Sequence, residues 1–259
     1  MGKTVTNDWK TTAAYAGGII GLIAVDKYTT GYLHDKIEPA VDYKIPNIDF
    51  IKTDFIWLKG NNLYMTYPIM GLYAGSFALN KEKGQIVAIN AFKAMSYSYI
   101  ISHLFIKTAF GRNRPQRRLN DDLPHKEGWT KDPWDFGNFH PVYFDSRVPG
   151  TSFISYHATT YFAIAKVFQM EFNNYWIPYT FATAVFMADL KDHNHWVSDL
   201  VVGGLVGTII GRSVVKSSQS INRTTPVNHK LGFSLSRMQK FWAPQVSSTG
   251  VGVQFIGTF

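Results

Sequence analysis

Three short stretches of this chain set charged or imidazole side chains at the ends of otherwise apolar segments. They are Lys107 with Arg112 and Arg114-Pro115, then Ser152-Phe153-Ile154-Ser155-Tyr156-His157, then Asp189 through Asp192-His193-Asn194-His195 to Asp199. A lysine supplies a point charge, an arginine a bidentate fork, and free amides at a helix N-terminus further donors, so the first two stretches together would bind an oxyanion. Phosphate is the natural candidate. His195 and Asp199 are four apart. On a helix starting near His195 the carboxylate would sit beside the imidazole, accept its N–H and fix which nitrogen faces the substrate. That is the geometry of a nucleophile with its orienter. A divalent metal is an alternative reading of the third stretch, because Asp189 and His193 are also four apart and such pairs suit first-row ions. One helix face cannot present both pairs unless a loop intervenes, so the phosphate reading without a metal is preferred.

The order and spacing of these residues resemble the superfamily of type 2 phosphatidic acid phosphatases, class A acid phosphatases and vanadium haloperoxidases. Its pattern is Lys, six residues, Arg-Pro; then Pro-Ser-Gly-His; then Ser-Arg, five residues, His, three residues, Asp. This chain has Lys107, Arg114-Pro115, Ser155, His157, His195 and Asp199 at those relative positions. Neighbouring words also match, notably Ser152-Phe153 and His195-Trp196-Val197-Ser198-Asp199-Leu200 followed by glycines, and the likeness spans residues 85–215. The resemblance implies that Lys107 and Arg114 hold the phosphate oxygens, with Ser155 and the amide of Tyr156 adding hydrogen bonds. It implies that His195 attacks phosphorus, that Asp199 orients it and that His157 protonates the leaving alkoxide. The intermediate would be a phosphohistidine, and no divalent metal or other cofactor would be needed. Vanadate would enter the same cradle, as an inhibitor or in a haloperoxidase-like alternative. The implied substrate is a lipid phosphate, an isoprenoid pyrophosphate or a small organic phosphate.

Two motifs depart from the pattern. Pro-Ser-Gly-His is Ile154-Ser155-Tyr156-His157 here, and Ser-Arg is Ala188-Asp189. With an effective dielectric of 20 and a separation of ~5 Å a unit charge pair is worth ~3 kcal/mol, so Asp189 in place of Arg swings the site by up to ~6 kcal/mol against a monoanion. Arg112, Lys191 or His193 would reduce that by neutralising Asp189. Tyr156 keeps the amide but brings a ring to a position where glycine lets the backbone approach the phosphate. These departures support a second reading of a different class: a repurposed member that binds an anionic or amphiphilic ligand without dephosphorylating it. The phosphatase reading is preferred because Lys107, Arg114, His157, His195 and Asp199 all survive. A haloperoxidase ranks third, since vanadate needs dense positive charge.

The elements that must position these residues are nearly all helical: an all-α bundle of the acid phosphatase type over 1–216, and a tail over 217–259. Helical patterns cover Trp9–Val25, Asp49–Leu58, Asn62–Leu79, Lys83–Phe110, Ser155–Phe172, Tyr175–Leu190 and Trp196–Lys216, with Gly60-Asn61, Asn80, Pro39 and Pro46 as punctuation. Asp26–Asn47 reads as an irregular surface connector. From Gly111 to Thr151 periodicity vanishes while Pro, Gly and aromatics accumulate, which marks a functional loop covering the site. Its Trp129, Trp134, Phe136, Phe139, Tyr143 and Phe144 would suit an acyl or isoprenoid chain or an ordinary lid. Gly203-Gly204, Gly207 and Gly211 allow close helix approach. Alternation over Val246–Phe259 reads as one strand or a hairpin.

Composition sets the remaining bounds. The 259 residues carry a net charge of +8, 46% hydrophobic and 15% aromatic side chains and a mean hydropathy of -0.09, values between those of a soluble protein and one lying against a membrane. The basic balance admits phosphorylated molecules or an anionic membrane surface as partners. Nucleic acid is set aside, as no basic helix, zinc spacing or aromatic ribonucleoprotein motif occurs. With no cysteine there is no disulfide framework or thiolate metal site. Asn62–Leu79 and Val197–Val215 come closest to a membrane span. The apolar run Ala13–Val25 lacks a small-residue cleavage site, so the chain reads as a mature form placed in the cell envelope, periplasmic or membrane-associated.

Overall fold

The computed structural model describes residues 9–41, 43–46, 48, 53, 55–116, 118–119, 127–142, 149–189, 195–224, 240–247 and 250–257, apart from the side chains of residues 56, 189 and 221 onward. Its contacts divide into two compact units, Met1–Gln219 and Ser220–Phe259.

The first unit is helical. Helix α1 runs over Trp9–Tyr32, passes through a π-helical turn, Leu33–Ile37, and ends with Glu38–Ala40. Helix α2 is Leu63–Ala78, entered through short 3₁₀ turns at Ile56–Leu58 and Gly60–Asn62. Helix α3 covers Glu82–Ser98 and continues through a π-helical stretch, Tyr99–Ile106, to its last turn, Lys107–Phe110. Helices α4, Tyr156–Phe172, and α5, Trp176–Asp189, form a tight hairpin that Asn173 closes at φ 51, and α6 is Val197–Thr224.

The core lies where α3 and α4 meet. Ala88, Ala91 and Ala94 recur every three residues on α3, and with Val87 and Met95 they pack against Tyr161, Ile164, Ala165 and Val167 of α4. Small side chains at that spacing let the two axes approach. Met65 and Ile69 of α2, Ala182 and Val185 of α5, and Ile210, Val214 and Val215 of α6 complete the same cluster. A smaller cluster, Phe153, Ile154 and Val202 with Ile19, Ile106 and Phe136 against it, sits beside the motif-bearing segments. At about 25 cal/mol per Å² of apolar surface, each large side chain buried here contributes on the order of 2 kcal/mol.

One expected element is corrected. Asp26–Asn47 is not irregular throughout: α1 carries on helically to Ala40, and of the described residues that follow within that range only 41 and 43–46 lack regular structure. The buried residues Ile23, Asp26, Thr30, Leu33 and His34 fall on one helical stripe. Two of its members are an acid and a hydroxyl, so an apolar-periodicity reading cannot detect it. Pro39 sits in the closing segment, in the last turn of this continuous helix. Of the expected helix Asp49–Leu58 only the 3₁₀ turn appears among the described residues, residues 49–52 and 54 lying outside them.

Between α3 and α4 the non-periodic segment is tied down by short ladders. Strand β1, Arg114–Pro115, pairs in parallel with β2, Trp129–Thr130, and Arg112 bridges Thr151. Tyr143 and Phe144 lie outside the described residues. In the second unit β3, Lys240–Ser247, pairs antiparallel with β4, Gly250–Gly257, with Trp242 opposite Phe255. The hairpin starts before the expected Val246 because Pro244, which cannot donate to a ladder, masks the first strand.

Candidate active site

Lys107 opens the last turn of α3 and is 2% exposed. The turn ends at Gly111, whose amide donates to the Lys107 carbonyl at 2.9 Å. Gly111 has φ +54, and a Cβ there would lie 2.5 Å from the backbone of Asn138. Only glycine satisfies both conditions. Asn138 in turn donates its amide to the Gly111 carbonyl at 2.9 Å, which fixes the path of the chain into Arg112 and Arg114. The Arg114 guanidinium donates to Thr151 Oγ1 from Nη2 at 3.0 Å and from Nε at 3.3 Å.

The second motif is anchored by helix ends. Ser155 is the N-cap of α4 and its hydroxyl accepts from the Ala158 amide at 3.4 Å, while its own amide donates to the Asp199 carbonyl at 3.1 Å. A backbone hydrogen bond thus ties the second motif to the third. Gly203, Gly207 and Gly211 press α6 against α4: a Cβ on Gly207 would meet the Thr159 carbonyl oxygen at 2.1 Å and one on Gly211 the Ala163 oxygen at 2.3 Å. His157 is the second residue of α4, half-buried, with its ring 5.8 Å from that of Tyr161. The neighbouring Tyr156 ring is buried edge-on against Tyr99 and His103 at centroid distances of 5.7 and 6.1 Å.

Asp199, fully buried in the first turn of α6, is the hub of the third motif. Its Oδ1 accepts from Arg112 Nη1 at 2.7 Å, and its Oδ2 from the Ser152 hydroxyl and from the Trp196 amide at 3.0 Å. His195 Nδ1 lies 3.7 Å from the same Oδ2, too far for a hydrogen bond. Arg112 uses all five of its donors. Besides Asp199 it reaches Ser198 Oγ at 2.8 Å, Asp26 Oδ2 at 2.7 Å and the Pro133 carbonyl twice, at 2.6 and 3.1 Å. Its guanidinium carbon lies over the Phe136 and Trp196 rings, 4.9 and 5.1 Å from their centroids. Such a guanidinium has every donor engaged by these four partners, and the Asp189 side chain lies outside the described residues.

Burial and these charges set the protonation states. Burial, followed by the nearby Arg114 charge, lowers the Lys107 ammonium to about 7, with Asp199 acting in the opposite sense. Burial likewise lowers His195 to about 4, helped by Lys107 and Arg114 and opposed by Asp199. For Asp199 burial alone would push upward, but the Arg112 guanidinium and the His195 and Ser152 contacts outweigh it and hold the carboxyl below its usual range. At neutral pH the result is a neutral imidazole between an ionised carboxylate and two basic side chains. Lys107, Arg114, His195 and Asp199 are therefore one electrostatic unit, drawn from α3, the loop after it and the start of α6.

The family model of the PAP2 superfamily matches residues 88–223, just over half of the chain. The chain belongs to the PAP2 superfamily. No curated protein and no solved structure matches it. PAP2 members are in general phosphatases, and the all-α bundle agrees with that membership. The PAP2 match includes every motif residue read from the sequence, and Asp189 with them. Asp189 closes α5, its side chain and residues 190–194 lying outside the described residues, Asp192 and His193 among them. Sequence reasoning missed the roles of Ser152, Thr151 and Arg112, although all three sit within or beside the motifs. It missed Asp26 and Thr30 altogether, which lie outside the segment matched to the PAP2 model, and no signal in the sequence points to them.

Proposed function

We propose that this protein is a metal-independent phosphomonoesterase that works through a phosphohistidine on His195. The observation that carries this reading is the line His195–Asp199–Arg112: a neutral imidazole whose Nδ1 faces a carboxylate that is itself held ionised. Such a pairing leaves Nε2 as the nucleophilic nitrogen. In the first step Nε2 attacks phosphorus, the phosphorus–oxygen bond to the leaving group breaks, and the departing alkoxide takes a proton from His157. The imidazole gains positive charge as the bond forms, and Asp199 stabilises it by closing the 3.7 Å gap to Nδ1–H. In the second step water attacks the phosphohistidine, gives its proton to His157, and inorganic phosphate leaves.

Lys107 and Arg114 meet the charge on the phosphoryl oxygens, with Ser155 and the Tyr156 amide as further donors. No divalent ion is required for charge balance, and vanadate is expected to occupy the same cradle as an inhibitor. The substrate is a lipid phosphate, an isoprenoid pyrophosphate or a small organic phosphate, with nucleic acid playing no part. Support for a cell-envelope, membrane-associated setting comes from α6. Val197–Ser220 is long and apolar enough to cross a membrane, although 44% of its apolar window is buried within the protein. Val201, Leu205 and Ile209 form an exposed apolar stripe along the same helix.

Hydrolysis of p-nitrophenyl phosphate in EDTA tests the reading, comparing wild type, His195→Ala and Asp189→Arg. Turnover by wild type that disappears in His195→Ala is the expected result. An inactive wild type, with activity gained in Asp189→Arg, would instead identify a ligand-binding member whose altered third motif has silenced the chemistry.

A further inference from the structure

The N-terminal helix α1 lies outside the matched residues 88–223, yet two of its side chains reach the turn that carries the nucleophile. Asp26 and Thr30, four apart and both 0% exposed, share one face of α1. Thr30 Oγ1 accepts from the Val197 amide at 3.1 Å, and Asp26 Oδ1 accepts from the Ser198 amide at 2.8 Å. With the Trp196 amide donating to Asp199 Oδ2 at 3.0 Å, three successive amides at the start of α6 end on side-chain oxygens. Two of those oxygens come from α1. A helix N-terminus leaves such amides without intrahelical partners, and here a second helix caps them in trans.

Asp26 is engaged twice more, its Oδ2 accepting from the Ser198 hydroxyl and from Arg112 Nη2 at 2.7 Å. Arg112 therefore spans two carboxylates, with Asp26 at one end and Asp199 at the other, both ion pairs fully buried. The segment pinned this way, residues 196–198, is the whole connection between His195 and Asp199. Its geometry sets the separation between imidazole and carboxylate.

We propose that Asp26 and Thr30 are positioning residues for the phosphoryl transfer of the preceding section: by clamping the first turn of α6 and the far end of Arg112, they aim the Asp199 carboxylate at His195. This rests on the phosphohistidine reading, and it makes α1 a required part of the active site. Neither residue touches the phosphoryl group. Loss of either should slow formation of the phosphoenzyme while leaving the cradle of Lys107 and Arg114 intact.

The experiment is a rapid-quench measurement of the phosphohistidine burst with p-nitrophenyl phosphate on the full chain, for wild type, Asp26→Asn, Thr30→Val and Thr30→Ser. Burst amplitude counts the competent enzyme, and the burst rate constant reports the chemistry. A merely structural role lowers the amplitude and leaves the rate constant of the surviving molecules alone. The expected result is a rate constant down ~30-fold or more in Asp26→Asn and ~3- to 10-fold in Thr30→Val, with amplitude, KM and inhibition by inorganic phosphate unchanged. Thr30→Ser, which keeps the accepting oxygen, should return to the wild-type rate. Thr30→Val removes a single hydrogen bond in a near-isosteric side chain, so it decides the matter if Asp26→Asn does not fold. Wild-type rate constants in Thr30→Val, or rate losses matched by amplitude losses, overturn the positioning role while leaving the phosphatase reading in place. Absence of any burst and turnover in wild type overturns both.

Discussion

Lys107 and His195 bracket a pH window that the chemistry should reveal. The proposed reaction needs His195 neutral to attack phosphorus, Lys107 protonated to hold it and His157 protonated to release the leaving group. Burial lowers the imidazole to about 4 and the ammonium to about 7. In the free enzyme kcat/KM should therefore rise with pH through about 4, level off, and fall above about 7. For a group titrating near 7 the protonated fraction drops from ~0.9 at pH 6 to ~0.1 at pH 8, so kcat/KM should fall roughly tenfold over that interval. The decisive perturbation is Lys107→Arg. A guanidinium stays charged over the whole range, so the variant should lose the share of the alkaline limb that Lys107 sets and keep only the share set by the acid His157, a shallower fall even if its absolute rate is lower. The assay is initial-rate hydrolysis of an aryl phosphate from pH 4 to 9, at constant ionic strength. Taking the ratio of variant to wild type at each pH cancels ionisation of the substrate. An alkaline limb unchanged in both position and steepness in Lys107→Arg would refute the assignment of any part of it to Lys107. A wild-type profile that is flat from pH 6 to 9 would refute the depressed lysine itself.

Replacing Arg112 by Met leaves Asp26 and Asp199 buried without their shared cation, which should cost ~3–5 kcal/mol of folding stability in urea denaturation, a loss under ~1 kcal/mol sinking the argument. Tyr156→Gly restores the residue of the superfamily pattern, yet it should destabilise by ~3–5 kcal/mol, because the ring fills a buried site beside Tyr99 and His103; an unchanged Tm would show that the ring contributes nothing there. Gly207→Val must push α6 off the Thr159 carbonyl, so it should lower Tm and abolish turnover together, whereas Gly71→Ala, which opens onto free space, should do neither. Orthovanadate should raise the Tm of wild type and not that of Lys107→Met, with equal shifts in both placing the anion elsewhere.

The sequence by itself determined what is local. Apolar periodicity and punctuation located α2 to α5 and the start of α6 to within a residue or two, because these helices bury an apolar stripe and are punctuated by glycine, asparagine or a polar cap; α6 itself runs on to Thr224, eight residues past the expected Lys216. The spacing of Lys107, Arg114, Ser155, His157, His195 and Asp199 indicated the family, since a helix end and the four-residue step from His195 to Asp199 translate directly into geometry. Tertiary structure decided whatever depends on partners distant in the chain. Arg112 could be read only as one more cation near Asp189 until the fold set it between Asp26 and Asp199, 86 and 87 residues away. Tyr156 looked like an obstruction in the phosphate site, and the packing of α3 turns its ring into the core instead. Asp26 and Thr30 were unreadable for a physical reason: a polar side chain on a helix gives no sign of being buried until the amides and the guanidinium it satisfies are brought to it. Those partners lie at the start of α6, and only the folded bundle brings them to α1.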